Sequence, residues 1–216
     1  MAGLPESSGL ARAVEIMDRL RGPGGCPWDA EQTHASLKKY LLEEAYEAVD
    51  AIDSGNRDHL REELGDVLLQ VLFHARIAAE HPTQPWQVDD VADELADKLV
   101  RRHPHVFADV SVDGSDEVDA NWEAIKASEK QRTGPYDGVV WHQSSLSLAT
   151  AVLRRAARAG IDLEPQDAPT DEEERFGREL LRLAARAQDA GVDPELALRR
   201  VVREATQSQR ESEAGS

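Results

Sequence analysis

The chain has 216 residues, of which 42 are acidic and 25 basic, for a net charge of −17. That balance excludes nucleic acid or an anionic membrane as a bulk partner, because the phosphate term would be repulsive. The single cysteine, Cys26, excludes an intrachain disulfide and fits a reducing, cytoplasmic setting.

The length allows one or two small domains with real cores. Residues 1–20 form an amphipathic pattern with Glu15 and Asp18 inside it, which is not a signal-peptide pattern. No window approaches the ~18 apolar residues of a membrane span. The predicted class is all-α, with no convincing strand.

In chain order, Ser8 is placed to cap a first helix carrying Leu10, Val14, Met17 and Leu20 at helical spacing. Arg21 to Asp29 breaks it, since the segment holds three glycines and two prolines. A second helix is predicted from about Thr33 to Ile52, with the stripe Leu37, Tyr40, Leu41, Ala45, Ala48, Val49 and Ile52. After the turn Ser54-Gly55-Asn56, Asp58 is the expected cap of a third helix, about His59 to Ala79. Apolar residues cover most of its circumference, so it is expected to be central and buried. Gly65 within it costs about 1 kcal/mol against Ala. Close helix approach or a metal would give it a reason.

A fourth helix follows from about Val88 to Arg102, with Lys98 and Arg102 at i, i+4 beside its apolar stripe. Pro104 stops it. A fifth, about Asp116 to Lys130, carries Trp122 and Lys126. Residues 132–140 read as a linker. Helices rich in Ala, Leu and Arg occupy 141–207, broken at Pro165 to Thr170, and 208–216 is a polar tail expected to be disordered.

Two acidic clusters carry the chemistry. Glu43-Glu44-Ala45-Tyr46-Glu47 pairs carboxylates at i, i+3 and i, i+4, and Glu63-Leu64-Gly65-Asp66 pairs them at i, i+3. Those spacings put each set on one helical face. Two facing helices, about 8–10 Å apart between axes, would aim both into one volume. In an acidic protein such clusters are commonly solvated faces. Glu44, however, falls within the apolar stripe, where an unpartnered carboxylate is costly. An all-oxygen cluster suits Mg²⁺, or Mn²⁺ as a substitute, and Mg²⁺ sites usually serve phosphates.

Cys26-Pro27-Trp28-Asp29, Glu31-Gln32-Thr33, the two acidic clusters, Arg101 to Phe107 and Trp122 to Lys126 occur in that order. With these motifs, residues 8–131 resemble the MazG family of nucleoside triphosphate pyrophosphohydrolases. The resemblance implies a compact helical bundle that forms a homodimer. It also implies Mg²⁺-dependent hydrolysis of a nucleoside triphosphate to monophosphate and pyrophosphate. Glu44, Glu47, Glu63 and Asp66 are the implied metal ligands, with Glu43 a further catalytic group that orients water or a ligand. Lys98, Arg102 and Lys126 are the implied phosphate or nucleotide contacts, with Trp122 beside the nucleotide. Trp28 and Trp122 also suit ordinary packing, and His74 suits a hydrogen-bonded core histidine.

Longer members of that family carry two copies of the domain. Here 141–207 resembles a reduced second copy, in which Arg175 and Arg178 stand where an ExxD would be, with no EExxE helix before them. One active site per chain is therefore expected. A di-iron carboxylate bundle would need two helical Glu-x-x-His pairs. Only Glu31 to His34 offers one, so that class is rejected. The alternative kept is a non-catalytic helical module that binds nucleotide or protein.

Overall fold

The computed structural model describes residues 8–129, 134–163 and 167–214, apart from the side chains of 116, 120, 123, 127, 208 and 210–214. Among them there are helices and no strand, in agreement with the all-α expectation. The chain divides into two compact units, Met1–Asp119 and Ala120–Ser216. Residues 130–133, which include the expected end of the fifth helix and the start of the expected linker, lie outside the described set, as do Pro165 and the last two residues of the expected tail.

In the first unit, α1 (Gly9–Arg21) begins at Ser8, whose Oγ accepts from Ala11 N–H at 3.3 Å. Of its expected stripe, Met17 is fully buried, while Leu10 and Leu20 are exposed. The glycine-proline segment after it is not a plain loop. Cys26 N–H donates to Leu20 O at 2.7 Å, and the chain re-enters a short helix, α2 (Pro27–Glu31), with proline at its start. Gly25 is required there by close approach. A Cβ on it would stand 2.2 Å from Leu20 O and 2.3 Å from Arg19 O.

The next helix, α3 (Lys38–Ser54), starts five residues later than its pattern predicts. Thr33 and Ser36 hydrogen-bond each other's backbone N–H through their hydroxyls, at 2.9 and 3.1 Å, and hold residues 34–37 as a turn. Such side chains compete with helical backbone bonding. Gly55, in the left-handed region at φ 67°, ends α3. Asn56, rather than the expected Asp58, caps α4 (Arg57–Ala78), its Oδ1 accepting from Asp58 N–H and His59 N–H. Both residue types cap well, so only the geometry of the turn decided between them.

α5 (Val88–Arg102) has the bounds its pattern predicts and opens with a reciprocal Gln87–Asp90 cap. Then come α6 (Pro104–Phe107) and α7 (Ser115–Glu129). Met17, Leu37, Leu72 and Phe73 form the core of the first unit, flanked by Val14, Tyr40, Ile77 and Val88.

α3 and α4 run antiparallel and share the most extensive helix contact of the unit. From its cap Leu37 onward, the buried and half-buried residues of α3 are Leu37, Tyr40, Glu44, Ala48, Val49 and Ala51, which differ from the predicted stripe. Leu41 and Ile52 are exposed, the latter at 59%. Nor is α4 buried all round. Leu64, Leu68, Leu69 and Val71 are 52, 38, 38 and 37% exposed. One chain does not supply enough neighbours to cover them. A Cβ on Gly65 would meet nothing within 4 Å, so within the chain neither close helix packing nor a neighbouring group explains that glycine.

In the second unit, α8 (Ser145–Ala159), α9 (Glu172–Asp189) and α10 (Pro194–Ala214) pack on one another. α10 continues past Thr206, where the sequence pattern ends it, to Ala214. Asp171 caps α9 through its Oδ1 to Glu174 N–H.

Candidate metal centre

The helical period turns Glu44 of α3 and Glu63 and Asp66 of α4 toward the seam between these helices. One carboxylate oxygen from each lies within 4.8 Å of the others. This is the only such group of three metal-ligating side chains among the described residues. Glu63 is buried, and Glu44 and Asp66 are half-buried. Glu43 and Glu47 are exposed and stand outside that group of three, although both add negative charge at Glu44.

Burial, followed by the charges of Asp66, Glu47, Glu43 and Glu63, pushes the Glu44 carboxyl above its usual range. Carboxylates held this close oppose their own ionisation until a proton or a cation intervenes. Glu63 is anchored from one side, where His59 Nε2 lies 2.9 Å from Oε1. Its other oxygen, Oε2, is buried and has no hydrogen-bond partner. A buried carboxylate oxygen left unpaired, beside two further carboxylates, is a ligand atom facing a cation-sized need. The hard all-oxygen donor set fits Mg²⁺ or Mn²⁺.

His59 did not emerge from the motifs. The signal was present as His59 to Glu63, an i, i+4 pair on α4, but such pairs are frequent on helices and carry little information alone.

The cations of the sequence pattern divide between the two units. Lys98 and Arg102 lie one turn apart near the end of α5, Lys98 half-buried and Arg102 buried at 8% exposure. Trp122 and Lys126 lie one turn apart on α7, within the second unit, and both are half-buried. Trp28 is 48% exposed and packs edge-to-face on Tyr40 and Phe73, with ring centroids 5.9 and 6.3 Å away. His74 is half-buried, and its Nδ1 lies 2.7 Å from Nδ1 of His34.

The second unit has a different interior. Arg178, 8% exposed, binds the carboxylates of Glu174 and Asp167, and Arg175 binds Glu172 and Glu179 at 2.8 and 2.9 Å. Arginines neutralised by local acids occupy this stretch.

Residues 32–107 match the model of the MazG nucleotide pyrophosphohydrolase domain. The chain is 41% identical over 212 residues to a Thermotoga maritima protein named nucleoside triphosphate pyrophosphohydrolase/pyrophosphatase MazG, covering 88% of this chain and 80% of the relative. It is 50% identical over 191 residues to an uncharacterized 26.1 kDa protein of Streptomyces cacaoi, covering 88% of this chain and 76% of the relative. A Mycobacterium tuberculosis nucleoside triphosphate pyrophosphohydrolase is 54% identical over 152 residues, which cover 70% of this chain and 46% of that longer protein.

Proposed function

Since the chain belongs to the MazG family of nucleotide pyrophosphohydrolases, we propose that it hydrolyses nucleoside triphosphates to monophosphate and pyrophosphate in a Mg²⁺-dependent reaction. The observation that carries this reading is the convergence of Glu44, Glu63 and Asp66, with Glu63 Oε2 buried and unpartnered. Glu44, Glu63 and Asp66 would hold the metal, and Glu47, one turn beyond Glu43 on α3, completes the ligand set. Mg²⁺ bound there supplies charge neutralisation for phosphate oxygens and lowers the pKa of a bound water. Glu43 adds a carboxylate at the rim that orients water or a ligand. Lys98 and Arg102 balance triphosphate charge and stabilise departing pyrophosphate. The biological task is removal of normal or aberrant nucleotides.

The active species is a homodimer in this reading. Leu64, Leu68 and Val71 of α4 and Leu42 and Tyr46 of α3 leave apolar surface that a single chain does not cover. Sedimentation equilibrium tests it, and a monomer at micromolar concentration refutes it.

The function itself is tested by incubating the protein with a panel of ribo- and deoxyribonucleoside triphosphates and Mg²⁺ and identifying the products. Monophosphate with pyrophosphate is expected. Diphosphate with phosphate overturns the cleavage position. Absence of turnover with retained nucleotide binding favours the non-catalytic binding module instead.

A further inference from the structure

Beyond the acidic cluster, the α3–α4 seam carries a second set of polar groups that neither packing nor the metal explains. At 100° per residue, Glu63, Gln70 and His74 fall on one narrow stripe of α4, with Asp66 at its edge. Gln70 is 4% exposed, and its Oε1 has no hydrogen-bond partner. His74 Nε2 is likewise buried without one. Of the four buried, unpartnered side-chain atoms among the described residues, three lie on this stripe: Glu63 Oε2, Gln70 Oε1 and His74 Nε2.

We propose that Gln70, supported by His74, reads the hydrogen-bonding edge of the substrate's nucleobase. The inference rests on the nucleotide reading above and goes beyond it by assigning the base-selecting residues. Four residues of helix place Gln70 about 6 Å beyond Asp66 along the axis, and His74 about 12 Å beyond it. A nucleotide whose phosphates sit at the carboxylate end projects its base over that distance. The chemistry changes along the seam in the same sense, from charged oxygens suited to metal and phosphate to a neutral amide and an imidazole suited to an uncharged heterocycle. Gln70 Oε1 accepts, so it takes an N–H of the base.

His74 is held for such a role from outside. His34 lies on the turn before α3, its ring stacks on His74 at 5.0 Å with planes 3° apart, and the Nδ1 atoms are 2.7 Å apart. One Nδ1 carries the proton of that bond and the other accepts it, which holds the His74 ring in place and couples the hydrogen-bonding role of its Nε2 to the tautomer of His34. At the same end of the seam, the half-exposed Trp28, packed edge-to-face on Tyr40 and the buried Phe73, supplies aromatic surface suited to a flat ring. A metal is a poorer occupant here, since among the described residues His34 and His74 belong to no group of three His, Cys, Asp or Glu side chains placed to share an ion.

The test uses the full chain with Mg²⁺. Relative kcat/KM is measured for ATP, GTP, CTP and UTP, with ribose 5-triphosphate, which has no base to read, as the reference substrate. Binding of the corresponding α,β-methylene analogues is measured in parallel by calorimetry. Gln70→Leu is expected to compress the ratio between the best and worst base by about tenfold, in turnover and in binding. His34→Ala, at an exposed position, is expected to compress it several-fold. Gln70→Leu that is folded but keeps the wild-type ranking of bases overturns the inference, and so does a wild-type protein indifferent to the base. Should Gln70→Leu fail to fold, His34→Ala decides by the same criterion. If no triphosphate is cleaved yet the binding ranking collapses in these variants, base reading stands and the hydrolytic reading falls.

Discussion

His59 Nε2 stands 2.9 Å from Glu63 Oε1, one turn away on α4, while Glu63 Oε2 is buried with no partner. One oxygen is therefore engaged by His59, and the side chain so held belongs to the group with Glu44 and Asp66. Groups that orient a metal ligand typically matter for affinity by about 10–100-fold. His59→Ala is expected to raise the Mg²⁺ concentration needed for half-maximal turnover about tenfold, with kcat at saturating Mg²⁺ changing little. An unchanged Mg²⁺ requirement would show that His59 only decorates the helix.

Glu44 links metal binding to protons. Its pKa is raised, chiefly by burial and then by Asp66 and the neighbouring glutamates. A carboxyl whose folded pKa is raised contributes stability below its unfolded pKa and loses it as pH rises through the folded pKa. Above its folded pKa the metal-free protein has lost that contribution. Glu44→Gln should therefore raise the melting temperature of the metal-free protein. The same change should abolish the rise that Mg²⁺ gives the wild type by binding only the folded state. Mg²⁺ affinity should also weaken as pH falls toward the Glu44 pKa, with protons released on binding. Calorimetry in two buffers of different ionisation enthalpy measures that release, and its absence would remove Glu44 from the ligand set.

The stacked pair His34 and His74 makes stability depend on pH in the opposite sense. Burial, reinforced by the His34 ring, lowers the pKa of His74. Between the folded and unfolded pKa values the unfolded chain binds the extra proton, so stability rises with pH there. It is intact above the unfolded value, begins to fall below it, and is fully lost once pH passes below the folded value. Urea midpoints at pH 5 and pH 7.5 should differ less in His74→Phe than in the wild type. Equal differences would show that the pair does not titrate with unfolding.

Two glycines predict opposite outcomes. Gly25→Ala drives a Cβ onto the Leu20 and Arg19 carbonyls, so the loop before α2 must move. A loss of about 1–3 kcal/mol is expected, as for other forced overpacking. Gly65→Ala meets open space within α4 and should gain about 0.5–1 kcal/mol of helix stability. Denaturant unfolding of the two variants separates them, and equal shifts would refute both assignments.

The helices were legible where independent signals agreed. α5 has its predicted bounds because the Gln87–Asp90 cap, the apolar period and Pro104 agree. α3 was misplaced at its start because the Thr33–Ser36 hydroxyl exchange satisfies backbone groups that a helix would otherwise satisfy. The breadth of apolar surface on α4 was legible, but whether the chain itself covers it was not. Leu64 and Leu72 look alike in sequence, yet one is half exposed and the other buried. Which one is covered depends on where α1 and α5 pack.

The sequence alone determined the helical class, the spacing that puts Glu44 on an apolar face, and the motif order that marks the family. These follow from covalent order and the helical period, which fix what shares a face of one helix. Only the tertiary structure decided what meets across the seam between helices. It brought Glu44 to Glu63 and Asp66, left Glu43 and Glu47 outside that group, joined His34 to His74 across 40 positions of chain, and left Gln70 Oε1 buried without a partner. Those relations depend on how far and at what angle α3 lies against α4, which helical periodicity does not encode.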